Sequence, residues 1–287
     1  MQEQFEERQS QRPSQASEST QQRTVSLALP TSKPTVTMIL LAIIVILFAA
    51  PLLATGRYSP DNALLQWGAL IFDNVLHGEY YRLFTSIFLH LDILHIGFNA
   101  YALYYFGRAV EQTFGHVRFA LIYFLGGLTG SVASFALSRG ASVGASGAIF
   151  AIFGAEMVFL YKNRSLFGKR ANSQLQSLVV VALLNLGIGV YSQLAPNGIN
   201  GAVIDNWGHI GGFAAGILLA WFIAPTYEIK AEPSVDPLAP ANLHVVDISS
   251  PSKTWVVCGL YAVGLLLTFV VLLNVLQSAA AYIMPLY

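Results

Sequence analysis

The chain has 287 residues, of which 55% are hydrophobic and 10% are charged, and its mean hydropathy is +0.57. Soluble domains average about 25% charged residues, so this composition excludes an ordinary soluble surface and favours a membrane protein. The 15 Lys and Arg residues equal the 15 Asp and Glu residues, which disfavours nucleic-acid binding, and the single cysteine, Cys258, excludes an internal disulfide.

The first 35 residues are predicted to form a disordered cytoplasmic tail. They are rich in Gln, Ser, Glu and Arg and contain few apolar side chains. Such a segment cannot bury enough surface to offset the entropy of ordering it. It lacks the apolar stretch of a secretory signal, and its acidic residues disfavour a mitochondrial transit peptide.

Seven apolar stretches follow, and each is predicted to span a bilayer, which takes roughly 20 apolar residues per helix. They cover residues 36–53, 93–110, 119–137, 143–160, 178–194, 206–224 and 255–276. Residues 54–92 are too long for a simple turn and include an apolar, aromatic stretch at 64–75. That stretch predicts an element lying in the outer membrane interface.

The Lys and Arg residues predict the orientation of these spans. With the N-terminus inside, twelve of them lie on the cytoplasmic side and three, Arg57, Arg82 and Arg139, lie outside. The second, fourth and sixth spans then begin at the outer surface. Residues 226–253 contain four prolines and no apolar periodicity, which predicts a cytoplasmic linker. It joins a core at residues 36–225 to a seventh span at residues 254–287, with the C-terminus outside.

Polar side chains stand at the outer ends of the second, fourth and sixth spans. His95 and Asn99, spaced i, i+4, share one face of the second span, while Ser146 begins the fourth and His209 the sixth. Polar groups inside a membrane are costly and are functional candidates by default. Because these spans begin on the same side, we expect all four side chains to lie at one depth.

Small residues predict close packing of the fourth and sixth spans. Gly212 and Gly216 lie on the same helix face as His209, and Gly147 with further small residues follows Ser146 at similar spacing. Small residues at such spacings allow membrane helices to approach closely. We therefore expect the Ser146 hydroxyl to meet the His209 imidazole.

The chemistry that this arrangement permits is acyl transfer. Neutral imidazole can accept the proton of a serine hydroxyl, and the resulting oxyanion needs fixed hydrogen-bond donors. The His95 ring, the Asn99 amide and the Ser146 backbone N–H are the predicted donors. Asp205 is expected in a solvated loop, so the sequence predicts a Ser–His dyad.

Two alternatives remain open at the level of residues. A zinc-dependent membrane hydrolase would use His90, His95 and His209 as ligands, but a five-residue spacing points the first two rings roughly 140° apart on a helix. A catalytically inactive protein that binds membrane helices would need none of this chemistry. Glu156, ten residues after Ser146, is expected to make a structural hydrogen bond or to be protonated.

The motifs resemble those of the rhomboid family of intramembrane serine proteases. The resemblance is specific in combination, covers roughly residues 36–225, and rests on YRLFT at 81–85, FLH at 88–90, HIGFN at 95–99, GASG at 144–147 and HIGG at 209–212. Glu111, Gly115 and Gly216 also fit the pattern of the family. GxSG alone would be weak, because soluble hydrolases use a similar turn on another fold.

The resemblance implies an all-α polytopic membrane helix bundle, with a six-helix rhomboid-like core and a C-terminal seventh transmembrane helix. It implies Ser146 as nucleophile, His209 as general base and then acid, and His95 and Asn99 as oxyanion stabilisers. Phe150, where the family often has Tyr, would stack on His209 and contact substrate. Structural roles are implied for Arg82, Glu111, Gly144, Gly147, Gly212 and Gly216. Tyr81 precedes Arg82 where the family commonly has Trp.

The implied partners are transmembrane protein substrates, cut as single helices near their outer end at a small residue, and the lipid bilayer. A helix must unwind locally to expose its carbonyl, which the membrane tolerates only where protein or water satisfies the backbone. We expect no cofactor, no metal and no nucleic acid. Without organelle signals, the expected location is a bacterial plasma membrane.

Overall fold

A computed structural model describes residues 29–56, 59, 62–195, 203–232 and 242–283 of the chain. Most of the predicted N-terminal tail therefore lies outside the described residues, up to residue 28. So does Arg57, one of the three cations that the orientation argument places outside. Residues 233–241 of the predicted linker also lie outside the described residues.

The described chain is mostly helical. In order, the helices are α1 Thr35–Thr55, α2 Ala63–Gly68, α3 Phe72–Leu76, α4 Arg82–Thr85, α5 Ile93–Ala102, α6 Arg108–Leu137, α7 Ser146–Lys162, α8 Arg164–Phe167, α9 Lys169–Leu194, α10 Asn206–Ile223 and α11 Pro251–Ile283. A 3₁₀ turn, Ser86–Phe88, follows α4, and a π-helix, Leu103–Gly107, joins α5 to α6. Strands β1 Tyr227–Glu232 and β2 Asn242–Asp247 pair between α10 and α11.

Five helices of the described chain are long and apolar enough to cross a membrane. They are α1, the continuous run Ile93–Leu137, α9, α10 and most of α11. The protein is thus an all-α polytopic membrane bundle. The stretch at residues 64–75 forms the short helices α2 and α3, as expected for an element that does not span the bilayer.

This set differs from the seven predicted spans in two places. The second and third predicted spans belong to one 45-residue helical run. The fourth predicted span corresponds to α7, which has only 17 residues, fewer than the roughly 20 of an average spanning helix. The number of seven spans stays a prediction.

The long run folds back on itself at Gly115, whose φ of 78° and ψ of 166° interrupt the helix. A positive φ is accessible to glycine at little cost. His95, before this break, contacts Gly144, and Gly130, after it, lies against Gly147. Since both ends reach the same segment, the two halves are antiparallel. The loop predicted between the second and third spans is thus a sharp change of chain direction at Gly115.

Helix α7 forms the centre of the bundle. Its residues from Ala148 to Leu160 are buried, with Met157 half-buried. In α1, α9 and α11 the most apolar windows are only 17%, 22% and 17% buried. Helices with apolar side chains all around and little protein cover suit a surrounding lipid phase.

The segment predicted as a linker contains a β-hairpin that the sequence reasoning missed. Tyr227 pairs with Asp247 and Ile229 with Val245 in an antiparallel register. Apolar and polar side chains alternate along β1, and along β2 as far as Val245, which is the pattern of a half-buried strand. The prolines at 233, 237 and 240 lie between the strands and obscured this alternation.

Polar contacts attach α11 to the rest of the bundle along its length. Arg118 Nε donates to Thr254 Oγ1 at 3.4 Å near the start of α11, and the hydroxyls of Thr129 and Tyr261 are 2.7 Å apart. Near the other end, Gln277 Nε2 donates to the carbonyl of Leu76 at 2.9 Å. The helix therefore links the hairpin side of the bundle to the segment between α1 and α5.

Candidate active site

Ser146 is the first residue of α7 and is positioned by the turn before it. Gly144 has a φ of 130°, a conformation that side chains other than glycine rarely adopt, and its N–H donates to the Ser86 carbonyl at 2.9 Å. The Ala145 N–H donates to His90 Nε2 at 3.5 Å. The chain before the serine is thus bonded to the segment that precedes α5.

His209 lies in the first turn of α10 and contacts the serine. Its Nε2 is 2.8 Å from Ser146 Oγ, and its ring stacks on Phe150 with centroids 4.4 Å apart and planes inclined by 10°. The meeting of hydroxyl and imidazole predicted from the sequence is confirmed. Among the described residues, none forms a hydrogen bond with the buried His209 Nδ1.

Asp205, expected in a solvated loop, has a structural part in the site. Its Oδ1 accepts from the Gly208 N–H at 2.9 Å and so caps α10, and its Oδ2 accepts from the Ser142 hydroxyl at 2.6 Å. An N-cap side chain of this kind contributes about 1 kcal/mol to helix stability. Both carboxylate oxygens thus accept hydrogen bonds from groups other than the imidazole.

Glycines bring α7 and α10 into backbone contact. A Cβ on Gly212 would lie 2.0 Å from the Gly147 carbonyl oxygen, and one on Gly216 would lie 2.0 Å from the Ala151 carbonyl oxygen. The predicted small-residue contact is confirmed. Helix α6 joins it through Gly126, where a Cβ would be 2.2 Å from that of Ala151. The sequence reasoning missed this third helix, although Gly126 and Gly130 carry the same four-residue spacing.

His95 faces the turn before Ser146. A Cβ on Gly144 would be 2.7 Å from His95 Nε2 and 3.6 Å from Ser146 Oγ, so both atoms border the same small space. The Leu91 N–H donates to His95 Nδ1 across a long 3.5 Å. With that nitrogen as acceptor, the proton of a neutral ring sits on Nε2 and points towards the site.

Asn99 lies one turn further along the same face and is buried. Its Nδ2 donates to the His95 carbonyl at 2.9 Å. Asn99 and Ser146, which both belong to the described part of the chain, form no hydrogen bond with each other. The structure thus brings Ser146, His209 and His95 together, and Asn99 is bonded to the backbone of His95.

His90 is a residue whose position the sequence reasoning missed. Its Nε2 accepts a hydrogen bond from the N–H of Ala145, next to Ser146. Its ring lies edge-on to that of His95, with centroids 5.0 Å apart. The five-residue spacing gave no sign of this contact, because His90 precedes the helix and the helical angle does not apply to it.

Arg82 organises the segment between α1 and α5. Its guanidinium is buried, with Nη1 donating to the carbonyls of Gln66 and Ala69 at 2.8 Å each and Nε donating to Glu79 at 2.6 Å. Hydrogen bonds from Arg82, Tyr81 and Asn74 lower the pKa of Glu79 below its ordinary value. Carbonyl groups left by the ends of short helices are thereby satisfied.

Glu111 lies far from Ser146 and holds the start of α1. Its carboxylate is fully buried and accepts hydrogen bonds from Val36 N, Thr37 N and the Thr37 hydroxyl at 2.6–2.8 Å. His116 Nδ1 is 2.6 Å from the same carboxylate. An acidic side chain at a helix N-terminus also interacts favourably with the helix dipole.

The described side chains form no group of three His, Cys, Asp or Glu that could hold a metal ion. The rings of His90 and His95 are edge to face, and the former is bonded to a backbone N–H. Within this part of the chain, the Ser146 hydroxyl, the His209 imidazole and the His95 ring lie close together.

Comparison with known proteins gives matches over the same region. Residues 77–226 match the Rhomboid domain family. The chain is 36% identical over 200 residues to Rhomboid protease GluP of Bacillus subtilis (strain 168), covering 70% of this chain and 37% of that protein. It is 35% identical over 182 residues to RHOMBOID-like protein 1 of Arabidopsis thaliana, covering 62% and 44%.

A third relative is RHOMBOID-like protein 6, mitochondrial, of Arabidopsis thaliana, 34% identical over 176 residues that cover 60% of this chain and 54% of that protein. The chain thus spans between about a third and just over half of the length of these relatives. The matched region runs from the segment before Arg82 to the end of α10 and contains every residue of the candidate site. This chain belongs to the rhomboid family.

Proposed function

We propose that this protein is an intramembrane serine endopeptidase that cleaves transmembrane helices of membrane protein substrates near their outer end. The observation that carries the proposal is the 2.8 Å contact between Ser146 Oγ and His209 Nε2 beneath one end of a membrane bundle. A relative in the same family is named a rhomboid protease. Phe150, stacked on the imidazole, restricts its rotation, and we propose that it also contacts substrate.

The proposed reaction is acyl transfer in two steps. Ser146 Oγ attacks the substrate carbonyl while His209 Nε2 takes its proton, and the C–N bond breaks as the imidazolium returns that proton to the leaving amine. Water then attacks the acyl-enzyme, again with His209 as base, and releases the carboxyl product. We assign no third residue to the mechanism, because no described residue bonds His209 Nδ1.

Donors for the oxyanion surround the serine. The first N–H groups of α7 have no acceptor inside their own helix, and Ser146 provides the first of them. His95 Nε2 borders the same space, which supports its assignment as a donor. We assign Asn99 a supporting share, through its hydrogen bond to the His95 carbonyl and its second amide hydrogen.

We also propose seven spans with a cytoplasmic N-terminus and an outer C-terminus, in a bacterial plasma membrane. Arg108 and Arg118 lie on either side of the reversal at Gly115, and Lys162, Arg164 and Lys169 lie at the end of α7 opposite Ser146. By the positive-inside rule this end faces the cytoplasm and Ser146 lies near the outer surface. The domain division is a tail to residue 35, a core at 36–225, a linker at 226–253 and a seventh span at 254–287.

The test is cleavage by the purified full chain, in lipid, of a synthetic transmembrane helix with a small residue at its outer end. We expect Ser146→Ala and His209→Ala each to lower the rate at least about 10⁴-fold, and His95→Ala to lower it about 10²–10³-fold. Products are identified by mass spectrometry. The matched controls are Ser173→Ala and His77→Ala, both exposed and away from the site, and they should keep full activity.

Two results would contradict the dyad. Continued cutting by Ser146→Ala would remove the serine from the mechanism, and loss of wild-type activity on chelation would support a zinc hydrolase. Binding of the helix without cleavage by the wild-type protein would favour an inactive helix-binding relative.

A further inference from the structure

A cavity of about 470 Å³ lies at the end of the bundle opposite Ser146. It is bounded by the π-helix Leu103–Gly107 with the start of α6, by α7 and by α9. Its volume falls within the usual range for small-molecule sites, about 300–1,000 Å³. Apolar side chains form much of its lining, and the polar and charged groups among them include Tyr104, Arg108, Gln112, Glu156, Gln174 and Ser177.

Glu156 supplies a buried acid to the cavity. The residue is 7% exposed, and its Oε2 accepts no hydrogen bond from any group in the described part of the chain. It lies ten residues after Ser146, which is about 15 Å along α7. Burying a carboxyl oxygen without a hydrogen-bond partner costs free energy, so a hydrogen-bond donor in the cavity would stabilise Glu156.

Arg108 supplies a positive charge at the same cavity. Its guanidinium lies over the ring of Tyr104, 4.5 Å from the centroid, and within the described chain it forms no ion pair. One face of the guanidinium is thus occupied by the aromatic ring. Its N–H groups can still bind an anion, and guanidinium binds phosphate in a two-point manner.

The π-helix beside the cavity is a second, independent sign of function. It adds a residue to the turn between α5 and α6, and π-bulges occur frequently at functional sites. Tyr104 and Tyr105 lie on this π-helix and are exposed at the mouth of the cavity, as are Gln174 and Ser177 on α9. The cavity therefore opens at the protein surface between the π-helix and α9, near the proposed cytoplasmic surface.

We propose that this cavity binds the headgroup of an ethanolamine phospholipid. Such a headgroup carries a primary ammonium group, which can donate to Glu156, and a phosphate, which can accept from Arg108. The amide and hydroxyl groups of Gln112, Gln174 and Ser177 complete the polar lining. A choline headgroup has no N–H to donate, and a glycerol headgroup has no cation, so the pair of charges selects ethanolamine.

The test is lipid binding by the purified full chain, followed by native mass spectrometry from micelles that contain equal amounts of phosphatidylethanolamine, phosphatidylcholine and phosphatidylglycerol. We expect one retained phosphatidylethanolamine per chain, and about a tenfold loss of this preference in Glu156→Gln and in Arg108→Gln, since each removes a charge-assisted hydrogen bond. Neither residue belongs to the proposed catalytic group, so the readout is independent of protease activity.

The controls are matched in chemistry. Arg164 lies over Tyr161, 4.5 Å from the centroid, as Arg108 lies over Tyr104, and Glu228 is an exposed glutamate on β1. Arg164→Gln and Glu228→Gln should keep the preference. Equal retention of all three lipids, or an unchanged preference in both cavity variants, would overturn the proposal. Competition by free phosphoethanolamine at the lipid's own concentration would also overturn it, in favour of a soluble ligand.

Discussion

His209 is restrained by two side-chain contacts. The Phe150 ring stacks on the imidazole at 4.4 Å, and the Ser146 hydroxyl bonds Nε2 at 2.8 Å. The Asp205 carboxylate fixes the helix turn that carries the ring, through its bond to the Gly208 N–H. In the proposed dyad, with Nδ1 unbonded among the described residues, we assign to the stacking contact the orienting role that an acidic residue has in a triad.

Replacement of Phe150 by Ala should therefore slow cleavage without removing it. An aromatic pair is worth about 0.5–1.5 kcal/mol, so we expect a fall in kcat of about two- to tenfold. Phe150→Tyr keeps the stacking surface and should retain most activity. The measurement is kcat of both variants on one substrate. An unchanged kcat in Phe150→Ala would contradict this role of the ring.

The sequence predicts part of this residue-scale arrangement. The contact of Ser146 with His209 follows from two spans that begin on one side and carry small residues. The bond from Ala145 to His90 and the capping by Asp205 do not follow, because both depend on how irregular segments between helices fold. Helical periodicity carries no information about such segments.

At the scale of elements, the site depends on backbone contact between α7 and α10. Gly212 and Gly216 face the carbonyls of Gly147 and Ala151. No methyl group fits at either position, since atoms 2.0 Å apart would overlap. The spacing of these glycines thus determines the separation of the helices and, with it, the distance from hydroxyl to imidazole.

Gly212→Ala should force α7 and α10 apart, because its Cβ would overlap the Gly147 carbonyl oxygen. Overpacking of this kind costs about 1–3 kcal/mol, and we expect a lower Tm in detergent together with a loss of cleavage. Gly264→Ala on α11, where a Cβ would meet nothing within 4 Å, is the control and should leave both unchanged. A fully active Gly212→Ala protein would show that the close contact is not needed.

The segment between α1 and α5 depends in a similar way on Arg82. Arg82→Gln leaves the Gln66 and Ala69 carbonyls without their donor, and hydrogen bonds to a charged group contribute about 1.5–3 kcal/mol each. We expect a lower Tm and faster hydrogen exchange in α2 and α4. Arg139→Gln, an exposed arginine that stacks on Phe72, is the comparison and should change neither. Equal effects of the two variants would contradict the structural role of Arg82.

At the scale of the whole molecule, the all-α membrane bundle follows from hydropathy alone. The first and last spans, α1 and α11, are continuous apolar runs; the predicted bounds of α1 agree within two residues, whereas α11 begins earlier and ends later than the predicted 255–276. Residues 143–160 are less regular, because α7 is enclosed by protein and can carry glycine, serine and glutamate. The hairpin β1–β2 was missed, since a two-stranded unit gives a weak signal and this one is held by distant residues.

Those distant residues couple the hairpin to the bundle. Arg118 on α6 donates to Asp247 Oδ2 at 2.8 Å and to the Ser249 hydroxyl at 2.7 Å. Burial favours the neutral acid of Asp247, but hydrogen bonds from Ser249 and Arg118 outweigh it and lower the pKa of Asp247. A single arginine thus connects the hairpin, α6 and, through Thr254, α11.

This connection should weaken in acid. Because the pKa of Asp247 is lower in the folded protein, its ionised form stabilises the hairpin above the ordinary aspartate pKa of about 3.9, and that stabilisation is lost as the pH falls below this value through the folded pKa. We expect hydrogen exchange in β1 and β2, corrected for its intrinsic pH dependence, to rise between pH 6 and pH 3. Asp247→Asn should exchange fast at both pH values, and Glu228→Gln should behave as wild type. Equal protection of wild type and Asp247→Asn at pH 6 would show that the bond to Arg118 does not stabilise the hairpin. Strand pairing alone would then account for its stability.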